Sequence, residues 1–269
     1  MQIGGRHFDT EHHCYIMGIL NITPDSFSDG GKFEKIDQAL FHTEEMIKEG
    51  AEIIDIGGES TRPGFAKVAA EEEVRRVVPV IEKIKSRFDI PVSLDSHKAE
   101  TAKAGIEAGA DMINDIWGLR QDAEMASVIA EAGVPCCLMH NRIEPVYKSF
   151  ITDVMNDLKE SLSLAERAGI AKEKIILDPG IGFGKTYEQN LEMIANLETL
   201  QALGYPLLLG CSRKSVIGLT LDLPVEERLE GTLVTTVAGV LKGCGFMRVH
   251  DVKENVRAVK MAEALKKYM

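Results

Sequence analysis

Long hydrophobic runs are missing from this chain. No apolar stretch approaches the roughly 20 residues that a membrane-crossing helix needs. Aromatic residues are scarce, at 6% with a single tryptophan. No CxxC pair occurs, and the five cysteines, Cys14, Cys136, Cys137, Cys211 and Cys244, are odd in number. Four of them, all but Cys244, stand within or beside apolar runs, so they read as small buried hydrophobes, which fits a reducing compartment. No Lys/Arg-rich run is present and the net charge is −11, which demotes a nucleic-acid partner. There is no HExxH spacing, no Ser–His–Asp order and no dinucleotide fingerprint after the first apolar run, so protease, zinc-enzyme and open-sheet nucleotide readings lose support. The first thirteen residues, Met1 to His13, are polar and hold three histidines, unlike a secretory signal, so a cytoplasmic location is expected.

What the 269 residues do contain is a repeating alternation. Eight short apolar runs read as buried parallel strands: Tyr15–Leu20, Glu52–Ile56, Val92–Leu94, Met112–Ile113, Pro135–Met139, Lys174–Leu177, Leu207–Leu209 and Phe246–Val249. Helix-period segments lie between most of them: Ile36–Glu49, Glu72–Phe88, Ala99–Ala108, Ala123–Ala132, Ile151–Ala168, Tyr187–Leu203, Val225–Leu241 and Val252–Lys267. About eight strand–helix units predict an α/β fold, the (β/α)8 TIM barrel, ahead of an open doubly wound sheet. No linker divides the chain, so residues 1–269 are expected to form one domain. Polar residues gather where the apolar runs end, and in a barrel all strand C-termini open on one face, where active sites sit. That placement favours an enzyme over a structural protein.

Several of these strand-end segments carry chemistry. The loop Asn21 to Gly30 holds Asn21, Asp25 and Asp29, oxygen donors suited to Mg²⁺ or, equally, to turns and caps. The loop Gly57 to Gly64 has glycines that let backbone N–H groups approach a phosphate, and Arg62 to clamp one. Asp178 to Thr186 looks like a phosphate-binding loop but has Pro179 where the first glycine belongs. Asp178 is better read as a strand-tip carboxylate that takes two hydrogen bonds from an amidine-like edge such as that of a pterin, followed by a loop bearing Phe183. Gly210 to Ser215 leads into a short helix whose start, with Ser215, attracts a carboxylate or phosphate, while Arg213 and Lys214 add charge. Arg248 and His250 stand two apart on a strand, hence on one side, and together suit a diphosphate.

Taken together, MGILNITPDSFSDGG (17–31), GAEIIDIGGESTRPG (50–64), SLDSHK (93–98), MINDI (112–116), LMHNR (138–142), LDPGIGFGK (177–185), GCSRKS (210–215) and RVHDV (248–252) resemble the dihydropteroate synthase family over nearly the whole chain. Each piece is weakly specific, but their joint order is very specific. The resemblance implies a pterin-binding TIM barrel that condenses 6-hydroxymethyl-7,8-dihydropterin diphosphate with p-aminobenzoate, in folate biosynthesis, by a Mg²⁺-assisted dissociative substitution. It implies a pterin held by Asp178, Asn114, Asp95 and Lys214, with Ile116 and Met139 in the same pocket. It places diphosphate with Asn21, Thr61, Arg62, Arg248 and His250. Mg²⁺ falls on Asn21, with Asp25 and Asp29 left open as further ligands. The p-aminobenzoate carboxylate falls at Ser215. Its ring falls among Thr61, Pro63, Phe183 and the Lys214 stem, with Phe27 or Phe33 above. The catalytic set implied is Lys214, Asn21, Arg248, His250 and Asp95. Sulfonamide sensitivity and a homodimer through the late helices are also expected. Ile181 and the pair Asn141-Arg142 depart from the common family pattern, and neither is expected to touch the chemistry. A corrinoid-linked pterin methyltransferase is the neighbouring alternative, but the cations Arg62, Lys214, Arg248 and His250 have no evident role there. A non-catalytic relative would be expected to have lost some of these residues.

Overall fold

The computed structural model describes residues 1–22, 32–59 and 68–269. Eight parallel strands, β1 (Tyr15–Asn21), β2 (Ile53–Gly57), β3 (Val92–Asp95), β4 (Met112–Asp115), β5 (Cys136–Met139), β6 (Ile175–Asp178), β7 (Leu208–Leu209) and β8 (Phe246–Val249), line up in the order β6-β5-β4-β3-β2-β1-β8-β7. A parallel bridge between Leu177 and Leu207 joins the two ends, so the sheet closes into the expected (β/α)8 barrel. Outside it lie α1 (Lys32–Glu49), α2 (Ala70–Arg87), α3 (Ala99–Glu107), α4 (Met125–Ala132), α5 (Phe150–Ala168), α6 (Tyr187–Ala195), α7 (Ser215–Leu221), α8 (Leu229–Leu241) and α9 (Val252–Lys266). Gly133 and Gly169 end α4 and α5 in the left-handed region, at φ 65° and 85°, as the sequence predicts for helix-ending glycines. Among the described residues, no helix is long and apolar enough to cross a membrane.

Two of the predicted helices are shorter. The segment expected to run from Tyr187 to Leu203 breaks at Asn196, and Leu197–Leu203 continues as a 3-10 turn. The Asn196 side chain donates to the Glu192 carbonyl at 2.8 Å, a local bond that competes with the helix ladder. The segment expected to start at Val225 begins its α-helix at Leu229, after a separate 3-10 turn at Val225–Glu227. Arg228 turns back between them and donates to the carbonyls of Leu223 and Arg213, each at 3.1 Å.

The strands carry a period-two code that sorts residues between the barrel interior and the helix layer. Ile54, Ile56, Leu94, Ile113, Leu138, Leu177 and Val249 face outward and pack with helix residues such as Val77, Ile81, Ile129 and Leu158. Met17, Ile53, Met112, Cys137, Ile176, Leu208 and Phe246 form a separate interior cluster near the strand N-termini. A short antiparallel hairpin, Gln2–Ile3 with Arg6–His7, plugs that end. Its Ile3 and the following Phe8 join the interior cluster, and Phe8 meets Tyr15 edge-on with ring centroids 4.8 Å apart. The polar opening residues had shown no apolar periodicity, so the sequence reading missed this plug. All five cysteines are buried and unpaired, as expected, including Cys244, which stands outside the apolar runs.

On four strands, moving up by two from the interior cluster reaches polar residues. Ile53 leads to Asp55, Met112 to Asn114, Ile176 to Asp178, and Phe246 to Arg248 and then His250. β1, β3 and β6 run one residue further than their apolar runs, so Asn21, Asp95 and Asp178 are strand residues and inherit the rigidity of the sheet.

Asp115 ends β4 on the outward register and shapes the turn above it. Its carboxylate accepts the N–H groups of Trp117 at 2.8 Å and Leu119 at 2.7 Å, and Leu119 sits at φ 67°. Burial pushes the Asp115 carboxyl up to about 6, against the pull of those two N–H donors. Asp115→Ala removes the acceptor of both donors. We expect a loss of about 2–4 kcal/mol in denaturant unfolding; a loss below about 0.5 kcal/mol would contradict this account of the turn.

Candidate active site

The interior residues at the C-terminal end of the barrel converge on two glycines. A Cβ built on Gly210 would lie 3.8 Å from Asp178 Oδ2, 3.8 Å from Lys214 Nζ and 3.9 Å from Arg248 Cβ. A Cβ built on Gly57 would lie 3.6 Å from Asn21 Oδ1 and 3.8 Å from Asp95 Oδ2. The two glycines face inward on β2 and just past β7, so each leaves open a small space that a side chain would fill. Arg248 links the two groups: its Nε donates to Asp55 Oδ2 at 2.6 Å and its Nη2 to Asp95 Oδ2 at 2.7 Å. Asn114 Nδ2 also donates to Asp55 Oδ2, at 3.2 Å. Asn21, Asp95, Asn114, Asp178, Lys214 and Arg248, predicted from separate segments, therefore share one mouth. Ile116 and Met139, both buried, stand at the ends of β4 and β5 on the same rim.

Asp55 was not among the predicted site residues, although it organises the centre of the mouth. It is fully buried, and its Oδ1 has no partner among the described residues. A carboxylate inside the otherwise apolar run Ile53–Ile56 was the signal in the sequence. Burial opposes the charge of Arg248, but Asp55 and Asp95 outweigh it and hold the guanidinium protonated beyond its usual range. Burial drives Asp95 the other way, up to about 7, with Arg248 opposing and Asp55 adding. Asp178 is likewise raised by burial, with Lys214 opposing. Lys214 is lowered by burial, with Asp178 opposing.

The edge beyond β7 and β8 is similarly ordered. His250 donates its backbone N–H to Ser212 Oγ at 3.1 Å, and that hydroxyl pairs with His250 Nδ1 at 2.9 Å. Ser215 is exposed at the first turn of α7, next to Lys214. Lys214 Nζ donates to the Ile181 carbonyl at 2.5 Å and lies 4.8 Å from the Phe183 ring centroid. Arg213, read from sequence as added charge beside Ser215, is instead paired with Asp251 through two hydrogen bonds, Nε to Oδ2 at 2.9 Å and Nη2 to Oδ1 at 2.5 Å. Its charge serves the α7–α9 junction, because Asp251 stands just before α9.

The predicted residues Asp25, Phe27, Asp29, Thr61, Arg62 and Pro63 lie outside the described residues, as does the Phe33 side chain. The residues flanking 60–67 are nevertheless tied together: Glu59 Oε1 accepts the Val68 N–H at 3.2 Å. Lys98, from the SLDSHK segment, pairs with both Glu59 and the buried Glu73. For a metal, no group of three His, Cys, Asp or Glu suited to an ion occurs among the described residues. Asn21 Oδ1 remains an oxygen donor beside Asp95. That suits only a hard ion that keeps most of its water and takes other ligands from a bound phosphate, which is the habit of Mg²⁺.

Comparison with known proteins gives a concordant picture. A family described as pterin binding enzyme matches residues 17–250. The dihydropteroate synthase of Clostridium beijerinckii is 61% identical over 266 residues, covering 98% of this chain and 99% of that protein. The crystal structure of a Clostridium difficile dihydropteroate synthase obtained with pteroic acid superposes with a TM-score of 0.95 at 51% identity, covering 96% of this chain and 99% of that one. A Xanthomonas albilineans dihydropteroate synthase with 4-aminobenzoic acid superposes with a TM-score of 0.93 at 41% identity, covering 98% and 97%.

Behind the mouth, Asp157 of α5 accepts from His140 Nε2 at 3.0 Å and from Arg142 Nε and Nη2 at 2.6 and 2.9 Å. Burial alone would raise Asp157, but the bonds from His140 and Arg142 outweigh it and hold the carboxyl well below its usual range. A depressed carboxylate contributes stability that is fully present above its unfolded value and is lost as pH falls toward the folded one. Asp157→Asn should therefore cost about 2 kcal/mol at pH 7. The difference between the two proteins should shrink steadily below about pH 4 in urea titrations. A difference independent of pH would show that the ionic pairing is not its source.

Proposed function

The chain belongs to the dihydropteroate synthase family of pterin-binding transferases, and from that premise we propose the chemistry of its barrel mouth. The mouth joins a dihydropterin methyl diphosphate to p-aminobenzoate and releases diphosphate. The observation that carries this reading is the convergence of Asp178, Lys214 and Arg248 around Gly210, with Asn21 and Asp95 around Gly57.

The pterin lies in that space. Its N3–H and 2-amino groups donate to Asp178, whose Oδ1 already accepts the Gly180 N–H at 2.6 Å, leaving Oδ2 turned toward the ligand space. Asn114, held by Asp55, shares that amidine edge, and Asp95, held by Arg248, faces the pyrazine side, with Ile116 and Met139 as apolar walls. Lys214 donates to the pterin carbonyl and ring nitrogen while one N–H stays on Ile181. The diphosphate falls toward Asn21, Arg248 and His250, with Thr61 and Arg62. The p-aminobenzoate carboxylate falls at Ser215, its ring among Phe183, the Lys214 stem, Thr61, Pro63 and either Phe27 or Phe33. Sulfonamides, which present the same arylamine edge, compete for this pocket.

The C–O bond to diphosphate breaks first and its electron pair leaves with the diphosphate oxygen. The cation left on the pterin methylene is captured by the arylamine lone pair, and the nitrogen then loses its proton. A neutral arylamine needs no strong base, so the catalytic demand falls on stabilising charge at the leaving group. Cationic and amide donors meet that demand, with Mg²⁺ held by Asn21, alone or with Asp25 or Asp29, supplying further neutralisation when bound. Self-association through the late helices belongs to the same reading. These are the segments Val225–Leu241 and Val252–Lys267, where Val234 of α8 and Met261 and Leu265 of α9 are exposed.

The direct test is incubation with the pterin diphosphate, p-aminobenzoate and Mg²⁺ while diphosphate release is followed; no release would overturn the reading. In that assay Lys214→Ala should lower turnover more than tenfold, the loss of a charge-assisted hydrogen bond of roughly 1.5–3 kcal/mol. A kcat/KM within about twofold of wild type would remove Lys214 from the mechanism. Ser215→Ala should raise KM for p-aminobenzoate much more than KM for the pterin, and equal effects on both would move Ser215 away from the carboxylate.

A further inference from the structure

The loop from Asp178 to Lys185 supplies two contacts to the mouth, the Ile181 carbonyl on Lys214 and the Phe183 ring beside it. Its inner side is held by a lysine that touches neither. Lys185 Nζ donates to the Gly180 carbonyl at 2.9 Å and the Phe183 carbonyl at 3.1 Å, and pairs with His140 Nδ1 at 2.8 Å. His140 is fully buried. Its Nε2 faces the Asp157 carboxylate, which only accepts, so Nε2 carries the proton and Nδ1 is the acceptor for Lys185. The three hydrogens of one ammonium are thereby matched to three fixed acceptors, one just past β5 and two on the loop. Arg142 completes the chain by gripping Asp157 from the other side, and it also stacks 4.3 Å from the Tyr147 ring centroid, whose hydroxyl donates to the Gly184 carbonyl at 2.6 Å.

The backbone around this lysine leaves little latitude. Gly180 and Gly184 sit at φ 69° and 53°, and a Cβ on either would overlap the backbone of His140 or Arg142. The loop is therefore pressed against the residues that follow β5, with Lys185 as the tie between them. Gly182 N–H is fixed from the far side by Asn190 Oδ1 at 2.6 Å.

We propose that Lys185, backed by His140, Asp157 and Arg142, is a positioning residue for the arylamine subsite: it holds the Phe183 backbone and so sets the ring against which the arylamine lies. This rests on the transferase reading above. Arg142, which departs from the common family pattern and was expected to stand apart from the chemistry, becomes the outer anchor of the tie. The protonated form of Lys185 matters, because a neutral amine has only two hydrogens for three acceptors; burial lowers this lysine to about 7, with Asp178 opposing and Lys214 adding.

The test compares wild type, Lys185→Met and His140→Gln. Glutamine keeps an amide N–H where His140 Nε2 donates to Asp157 but lacks the Nδ1 acceptor, so it cuts the tie at one bond only. KM for p-aminobenzoate should rise about tenfold in Lys185→Met and about threefold in His140→Gln, with KM for the pterin diphosphate and kcat each within about twofold. Parallel losses in both KM values, or a lowered melting temperature with both unchanged, would overturn the assignment. Should Lys185→Met not accumulate as folded protein, His140→Gln decides on the same constants. Hydrogen–deuterium exchange across residues 178–186 is followed in the same proteins and does not depend on what the wild type catalyses. Faster exchange there in the variants supports the tie, and unchanged exchange removes it. Absence of diphosphate release by wild type would count against the parent reading alone.

Discussion

The buried ion cluster of Arg248 with Asp55 and Asp95 is the constraint on which the rest of the mouth depends. Three strands, β2, β3 and β8, each contribute one member, and the guanidinium fixes both carboxylates with bonds of 2.6 and 2.7 Å. Removing any one would strand the others in a low-dielectric interior, which costs far more than an exposed pair ever returns. The cluster also settles what can sit beside it. Asp55 orients Asn114, Asp95 lies next to Asn21 across Gly57, and Arg248 reaches the same space as Asp178 and Lys214 across Gly210.

Specificity and rigidity come from the same source here. The ligand-facing atoms stand on strands whose opposite faces are locked into the helix layer, so their placement follows from the pleat of the sheet. Lower down, the same inward positions are Met, Ile, Cys, Leu and Phe, a dry plug finished by the N-terminal hairpin. On β2, β4, β6 and β8 the inward positions therefore change from apolar to polar over a single step of two residues. The floor of the mouth is formed by side chains that pack as a core.

Much of this was legible in the sequence. The eight short apolar runs gave the strands to within one or two residues, and the polar residues at their ends named most of the mouth. Asn21, Asp95, Asn114, Asp178, Lys214 and Arg248 were all visible as strand-end residues, because a barrel gathers strand ends whatever their separation in the chain. What escaped was pairing. Nothing in the local pattern tells that Arg213 would choose Asp251, that Arg248 would turn to Asp55, or that Lys185 would reach His140. Those partners lie 38, 193 and 45 residues apart, and only the closed barrel brings them together. The plug escaped for the opposite reason: a two-residue strand is too short to show a period.

The barrel's seam has a consequence of its own. β7 is two residues long, and β6 meets it through the Leu177–Leu207 bridge, whereas β1 and β2 pair over five registered positions. The thinnest lacing in the cylinder thus separates Asp178 from Gly210 and Lys214. A flat molecule lying against Asp178 and Lys214 together, as proposed above, would span this gap like a rivet and brace the wall itself. The guest would then be a part of the masonry.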